Sequence, residues 1–264
     1  MNLGFPLGFP LGFSLGGLDN QVLLPETQAI LNRWISLGTP ASTQRANGLD
    51  KLLVRPLVNS GNWSKLDALY TPQHSSDASR VNLKNPSADL LTLVNTPTIV
   101  ADRYFQGDGV SSYFDTGINP ATAGGNFALN DACLFVWSVT DSASAEVDAG
   151  SGNGTRVRST TTSLSSRANL TSDIVDTVAD SLGLYGWTRS DGTNAANFKG
   201  ASAFAPQAAT ATGIASAAMR ICSAGTSFSP RRLAVMGWGG GLTVQNIFDL
   251  HAISAAWLTY LGAI

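Results

Sequence analysis

The sequence predicts a mainly β protein: an antiparallel two-sheet sandwich with an N-terminal helical collar and a closing C-terminal helix. Three observations predict it. From about residue 80 the apolar pattern alternates with a period of two, as in Arg156-Val157-Arg158 and Leu182-Gly183-Leu184-Tyr185-Gly186-Trp187. Gly and Asn clusters recur between these runs, at Gly107-Asp108-Gly109, Gly124-Gly125-Asn126, Gly150 to Gly154 and Asp191-Gly192, marking chain reversals. The composition agrees: only 13% of the 264 residues are charged, 44% are hydrophobic and 27 are Gly, which suits many short strands joined by tight turns around a full core.

Residues 1–19 form the first segment, with a four-residue beat of Leu3-Gly4-Phe5-Pro6, Leu7-Gly8-Phe9-Pro10, Leu11-Gly12-Phe13-Ser14 and Leu15-Gly16-Gly17. Pro removes a backbone donor and Gly raises chain entropy, so a continuous helix is excluded and an extended or turn-rich ribbon remains. Its apolar side chains would stand in water, and burial on another surface or subunit is the economical inference. The expectation is an attachment strap that docks through Leu3, Phe5, Pro6, Leu7, Phe9, Pro10, Leu11 and Phe13. A disordered low-complexity tail is the competing reading. No Lys or Arg precedes the apolar residues, Pro and Gly interrupt them, and no clear small-residue cleavage site follows, so the pattern is not that of a secretory signal. No stretch approaches the roughly 20 apolar residues of a membrane helix.

The collar spans residues 20–75. Pro25-Glu26 opens a helix carrying Ile30, Leu31, Trp34 and Leu37 on one face, ended by Gly38 and Pro40. Leu49, Leu52, Leu53 and Leu57 predict a second helix bent or stopped by Pro56, and Trp63, Leu66, Leu69 and Tyr70 a third, turn-rich one after Gly61. The sandwich is placed in residues 76–264. It closes with a helix capped by Thr243, apolar at Ile247, Phe248, Leu250, Ile253, Trp257 and Leu261, and terminated by Gly262.

Composition excludes several functions. A net charge of −2 gives no electrostatic basis for nucleic-acid binding, and the Arg231-Arg232 pair is too small to change that. Cys133 and Cys222, far apart and flanked by strand residues, read as buried hydrophobes, with a disulfide possible but not implied. With His74 and His251 as the only imidazoles, no zinc or thiol constellation emerges. There is no G-x-S-x-G elbow and no P-loop.

Three stretches carry a resemblance: Asn62-Trp63-Ser64-Lys65-Leu66-Asp67-Ala68-Leu69-Tyr70, the run from Ala101 to Gly109 containing Asp102-Arg103-Tyr104-Phe105, and Ser112-Tyr113-Phe114-Asp115-Thr116-Gly117-Ile118-Asn119-Pro120. With the closing helix from Gly241-Leu242-Thr243 to Tyr260-Leu261, they resemble the concanavalin A-like (laminin G-like) jelly-roll structural proteins of tailed bacteriophages and prophages, over about residues 45–264. The resemblance implies a jelly roll and a virion component: head decoration, fibre or tail. Its partners would be capsid, portal or tail proteins, and its place of assembly the host cytoplasm. The repeated strap suggests a homo-oligomer, with a trimer as a guess. No catalytic residues, nucleic-acid partner or membrane insertion are expected.

Two other functions are weighed on the residues. Asn, Asp and Gly loops beside an aromatic ring can bind a sugar, which nominates Trp187, Asp191 and Asn194 for a host surface glycan, with sandwich core as the alternative for Trp187. Asp108 and Asp115 are weak candidates for Ca²⁺, or Asp108 is simply a turn residue between two glycines. Glycoside hydrolysis needs two carboxylates flanking the scissile bond. The chain has only Glu26 and Glu146 as glutamates, and where concanavalin-like glucanases carry Glu-x-Asp-x-Glu, Glu146 and Asp148 are followed by Gly150.

Overall fold

The strand Ala132–Ser138 is buried at every residue, and its surroundings explain the architecture. Cys133, Phe135 and Trp137 face a core shared with Ile30, Trp34, Leu53, Leu57, Ile247 and Trp257 of the helices. Leu134 and Val136 face a second core shared with Phe114, Val157, Leu164 and Ile221. A strand covered on both faces reads as a continuous apolar run rather than an alternation. Three layers result: helices, a nine-stranded sheet and a seven-stranded sheet, in a computed structural model that describes residues 22–264. The predicted strap, from Leu3 to Phe13, lies outside the described residues.

The nine-stranded sheet runs in the order Ser202–Ala203, Asn194–Lys199, Gly183–Arg189, Ala132–Ser138, Arg232–Gly239, Tyr104–Gln106, Thr98–Val100; Leu66–Tyr70 pairs with Arg232–Gly239, and Gln207–Ala208 with Asn194–Lys199. The seven-stranded sheet runs Ile174–Thr177, Ser163–Ala168, Thr155–Ser159, Ala149–Ser151, Arg220–Ile221, Tyr113–Asp115, Thr92–Val94. Every pairing in both is antiparallel. This is the antiparallel two-sheet sandwich that the sequence predicts, mainly β with few helices. Gly186 and Gly237 flank Phe135 on its two neighbouring strands, and a Cβ at either would overlap that side chain.

Of the two alternatives for the second helix, bent or stopped by Pro56, stopping does not occur: Thr43–Leu49 passes through a π turn, Asp50–Val54, into Arg55–Asn59. The Arg55 amide donates to the Asp50 carbonyl, a wider ring than the α-helical one, just before the residue that has no amide to offer. Leu66 to Tyr70 is a strand, not the end of a third helix. Leu66 and Leu69 meet the helices while Ala68 and Tyr70 meet the other sheet, so apolar residues on both faces imitate helical spacing.

Asp50, 1% exposed, ties the collar together by accepting from the Leu24 amide at 2.9 Å, the Thr27 hydroxyl at 2.7 Å and Arg55 Nε at 2.8 Å. Burial pushes its carboxyl up, but those donors outweigh burial and hold it below the usual range. The closing helix, Val244–Leu261, begins with a capping box between Thr243 and Asn246 and ends at left-handed Gly262, as predicted. It docks on the nine-stranded sheet, where His251 stacks on Trp137 with ring centroids 5.3 Å apart.

Candidate functional site

Glu146 and Asp148 precede the strand Ala149–Ser151 and sit in unlike surroundings. Glu146 is exposed and accepts from the Ser227 hydroxyl. Asp148 is fully buried: its Oδ1 accepts from Ser229 Oγ at 2.6 Å, and its Oδ2 from Tyr185 Oη at 2.7 Å, the Ser159 amide at 3.2 Å and Arg231 Nη1 at 3.4 Å. Arg231, also fully buried, donates through Nη2 to the Ser142 and Ser144 carbonyls at 2.8 Å each. Burial pushes Asp148's carboxyl up, opposed by Arg231, Ser229, Tyr185 and Ser159. Burial, with the neighbouring Asp148 charge, drives the Tyr185 hydroxyl well above its ordinary range. One carboxylate in solvent and one sealed between sheets cannot flank a sugar bond.

The three glycan candidates separate. Trp187 is fully buried between the sheets, edge-on to Phe127 with centroids 6.1 Å apart, and offers no face to a ligand. Its place on a strand covered on both sides makes it core, which corrects its nomination as a sugar platform. Asp191 and Asn194 do lie together, on the wall of a cleft of about 280 Å³ where Phe204 and Leu242 also meet the start of the closing helix. Their polar groups serve the turn: Asp191 Oδ1 accepts from the Thr193 and Asn194 amides at 2.7 Å each, holding its pKa down to about 2, and the Asn194 amide group donates to Asp191 and Thr193. Arg189 belongs to the same neighbourhood. It is 2% exposed and gives Nη2 to the Ala209 carbonyl at 2.6 Å, while strand alternation places its side chain on the Trp187 side of the sheet.

The Ca²⁺ candidates also have partners within the protein. Asp108 Oδ1 accepts from the amides of Val110, Ser111 and Ser112 at 2.8 Å each, which holds its carboxyl far below the usual range. Asp115 accepts from the Gly117 amide at 2.8 Å and faces Arg220. Among the described residues, no group of three or more His, Cys, Asp or Glu is placed to hold a metal. Both cysteines are free and buried, Cys133 in the helix-side core and Cys222 between the sheets, so the disulfide left open by the sequence does not form. Burial raises both thiols. His74 packs edge-on against Trp34 and contacts the Thr39 carbonyl at 3.0 Å.

The outer face of the seven-stranded sheet was not singled out by the sequence. Val157, Leu164, Ala168, Ile221 and Phe114 point inward, so their neighbours Arg156, Arg158, Arg167, Arg220 and Asp115 point outward. The pairing register places Arg167, Arg156, Gly150, Arg220 and Asp115 in one row across five strands. Asp173 gathers three of the cations: Arg167 Nε at 2.6 Å, Arg156 Nη2 at 3.0 Å and Arg158 Nη2 at 3.0 Å. Burial pushes the Asp173 carboxyl up, but Arg167, Arg156 and Ser165 prevail and lower it. Arg220 lies over the Tyr113 ring, 4.3 Å from its centroid. The alternation Arg156-Val157-Arg158 was the available signal; only pairing could show that Arg167 and Arg220 join the same row.

No family model matches the chain, and no curated protein matches it. Solved structures do. A mutant of Trypanosoma rangeli sialidase displaying trans-sialidase activity is similar at TM-score 0.51 and 11% identity, over 87% of this chain and 39% of that one. The botulinum neurotoxin serotype D binding domain is similar at TM-score 0.49 and 7% identity, over 72% of this chain and 52% of that one. Domain 4 of an extracellular arabinanase from Geobacillus stearothermophilus, in complex with arabinotriose, gives TM-score 0.45 and 12% identity over 71% of this chain and 98% of that one. The chain thus spans 39% of the sialidase and about half of the toxin domain. At these identities the likeness concerns the β-sandwich fold, which hosts many functions.

Proposed function

We propose that this chain is a non-catalytic structural module of a tailed-phage or phage-like virion, a jelly-roll display domain attached to the particle by its N-terminal repeat. The observation that carries the non-catalytic part is the fate of Asp148. The carboxylate that a concanavalin-like hydrolase would need beside Glu146 is fully buried and spent on Tyr185, Ser229, Ser159 and Arg231. It ties the loops around Ser142 and Ser229 to the sheets, which is a rigid scaffold's use of a charge. The virion part rests on the phage-family resemblance and on the Leu-Gly-Phe-Pro beat. In this reading the Phe and Leu side chains fill apolar grooves of a capsid, portal or tail protein, Gly allows close backbone approach, and Pro lowers the entropy lost on ordering. A homo-oligomer, with three copies as the guess, would present several straps around one axis.

Removing residues 1–17 tests this directly. The truncated chain is expected to keep the thermal midpoint and circular dichroism of the full chain while disappearing from purified particles. Incorporation at the normal level would refute the strap.

A further inference from the structure

We infer that the outer face of the seven-stranded sheet is a binding surface for an acidic polysaccharide, contacted by Arg156, Arg158, Arg167 and Arg220. The inference goes beyond the attachment role and stands whether or not the strap docks. It begins with charge. The whole chain carries −2, yet on this face four guanidiniums meet only two carboxylates, Asp115 and Asp173, leaving a local excess of two positive charges. A further acid, the exposed Glu146, follows Ala145, whose carbonyl accepts from Arg158. Such concentration runs against the overall sign, and like charges on adjacent strands oppose each other.

The geometry narrows the partner. Arg156 and Arg167 are direct cross-strand neighbours, and Gly150 separates Arg156 from Arg220. Arg156 and Arg220 therefore stand about 10 Å apart, two strand spacings, across a position with no side chain. Asp173 fixes three of the guanidiniums without neutralising them, so ordering a ligand on them costs little side-chain entropy. Their side chains stay 14%, 30%, 23% and 26% exposed for Arg156, Arg158, Arg167 and Arg220, and none of their nitrogens is a buried donor without a partner. Each guanidinium keeps N–H groups for a carboxylate or sulfate.

Charge density selects the polymer class. A single-stranded nucleic acid brings a phosphate about every 3.4 Å per strand and needs many basic contacts to release its counterions. An excess of two charges is a poor match to that. A glycan with one carboxylate every sugar or two fits this wide spacing.

Affinity electrophoresis of the full chain at pH 7 and low salt, in gels cast with alginate, with neutral dextran or with a single-stranded oligonucleotide, tests the assignment. The expected result is retardation by alginate alone, fading as salt is raised to about 0.15 M. Arg220→Gln, which leaves the Asp173 cluster intact, is expected to weaken alginate binding about fivefold. Arg156→Gln with Arg220→Gln should abolish the shift, with the thermal midpoint of each variant showing that it folds. Absence of retardation by alginate, an equal shift in the oligonucleotide gel, or alginate binding that survives the folded Arg220→Gln variant unchanged would each overturn the inference.

Discussion

Replacing Asp148 by Asn separates a structural carboxylate from a catalytic one. Asn preserves shape but removes the charge that faces Arg231, whose side chain is fully buried and whose Nε has no partner. Deleting one member of a buried ion pair costs about 3–5 kcal/mol, chiefly because the other charge stays buried and uncompensated. The 3.4 Å separation and the two carbonyls already holding Arg231 place this pair at the lower end, about 3 kcal/mol. For a domain of this size that is a fall of roughly 6–12 °C in thermal midpoint. Differential scanning calorimetry of Asp148→Asn beside Glu146→Gln makes the comparison internal, since the exposed Glu146 variant should stay within about 0.5 kcal/mol of the parent. A catalytic carboxylate is held at a cost to stability, so its neutral replacement leaves stability unchanged or raises it. An Asp148→Asn protein as stable as the parent would refute the structural reading of this network.

Other consequences can be checked by the same means. Trp187→Ala should cost about 3–5 kcal/mol through the cavity it leaves between the sheets, whereas a surface sugar platform would be neutral; chemical denaturation distinguishes the two. Asp173 has a lowered carboxyl in the folded state, so its stabilisation is present above the unfolded carboxylate value and is lost as pH falls through the lower folded one; acid titration of Asp173→Asn should lack that part of the loss. Thr243→Ala removes the side chain that accepts from the Asn246 amide and should cost about 1 kcal/mol of stability.

Much of the fold was legible because local rules and tertiary packing agree there. The closing helix announces itself through Thr243, its apolar stripe and Gly262; the caps behave as read, and of the stripe Ile247, Leu250 and Trp257 are buried while Phe248 is 53% exposed. The strands with one wet face, such as Thr155–Ser159, alternate cleanly. Legibility failed where an element is covered on both sides. Leu66–Tyr70 looked helical because both its faces are apolar, and Trp187, read as a strand residue, was open to either a sugar platform or core because the turn at Asp191 follows it closely in sequence but not in burial. The candidate site was harder still. Asp108, Asp191 and Asn194 are residue types that turns and ligands both use, and the hydrogen bonds that reveal their turn duty depend on coordinates. The arginine row is assembled from strands up to 64 positions apart, from Arg156 to Arg220, and has no local signature.

The most direct test of the virion assignment is the copy number of this chain in purified particles, measured by quantitative mass spectrometry against the major capsid protein. The account predicts a fixed stoichiometry that persists through density-gradient purification and mild salt washing. Recovery only in the soluble lysate, with none on the particles, would contradict it.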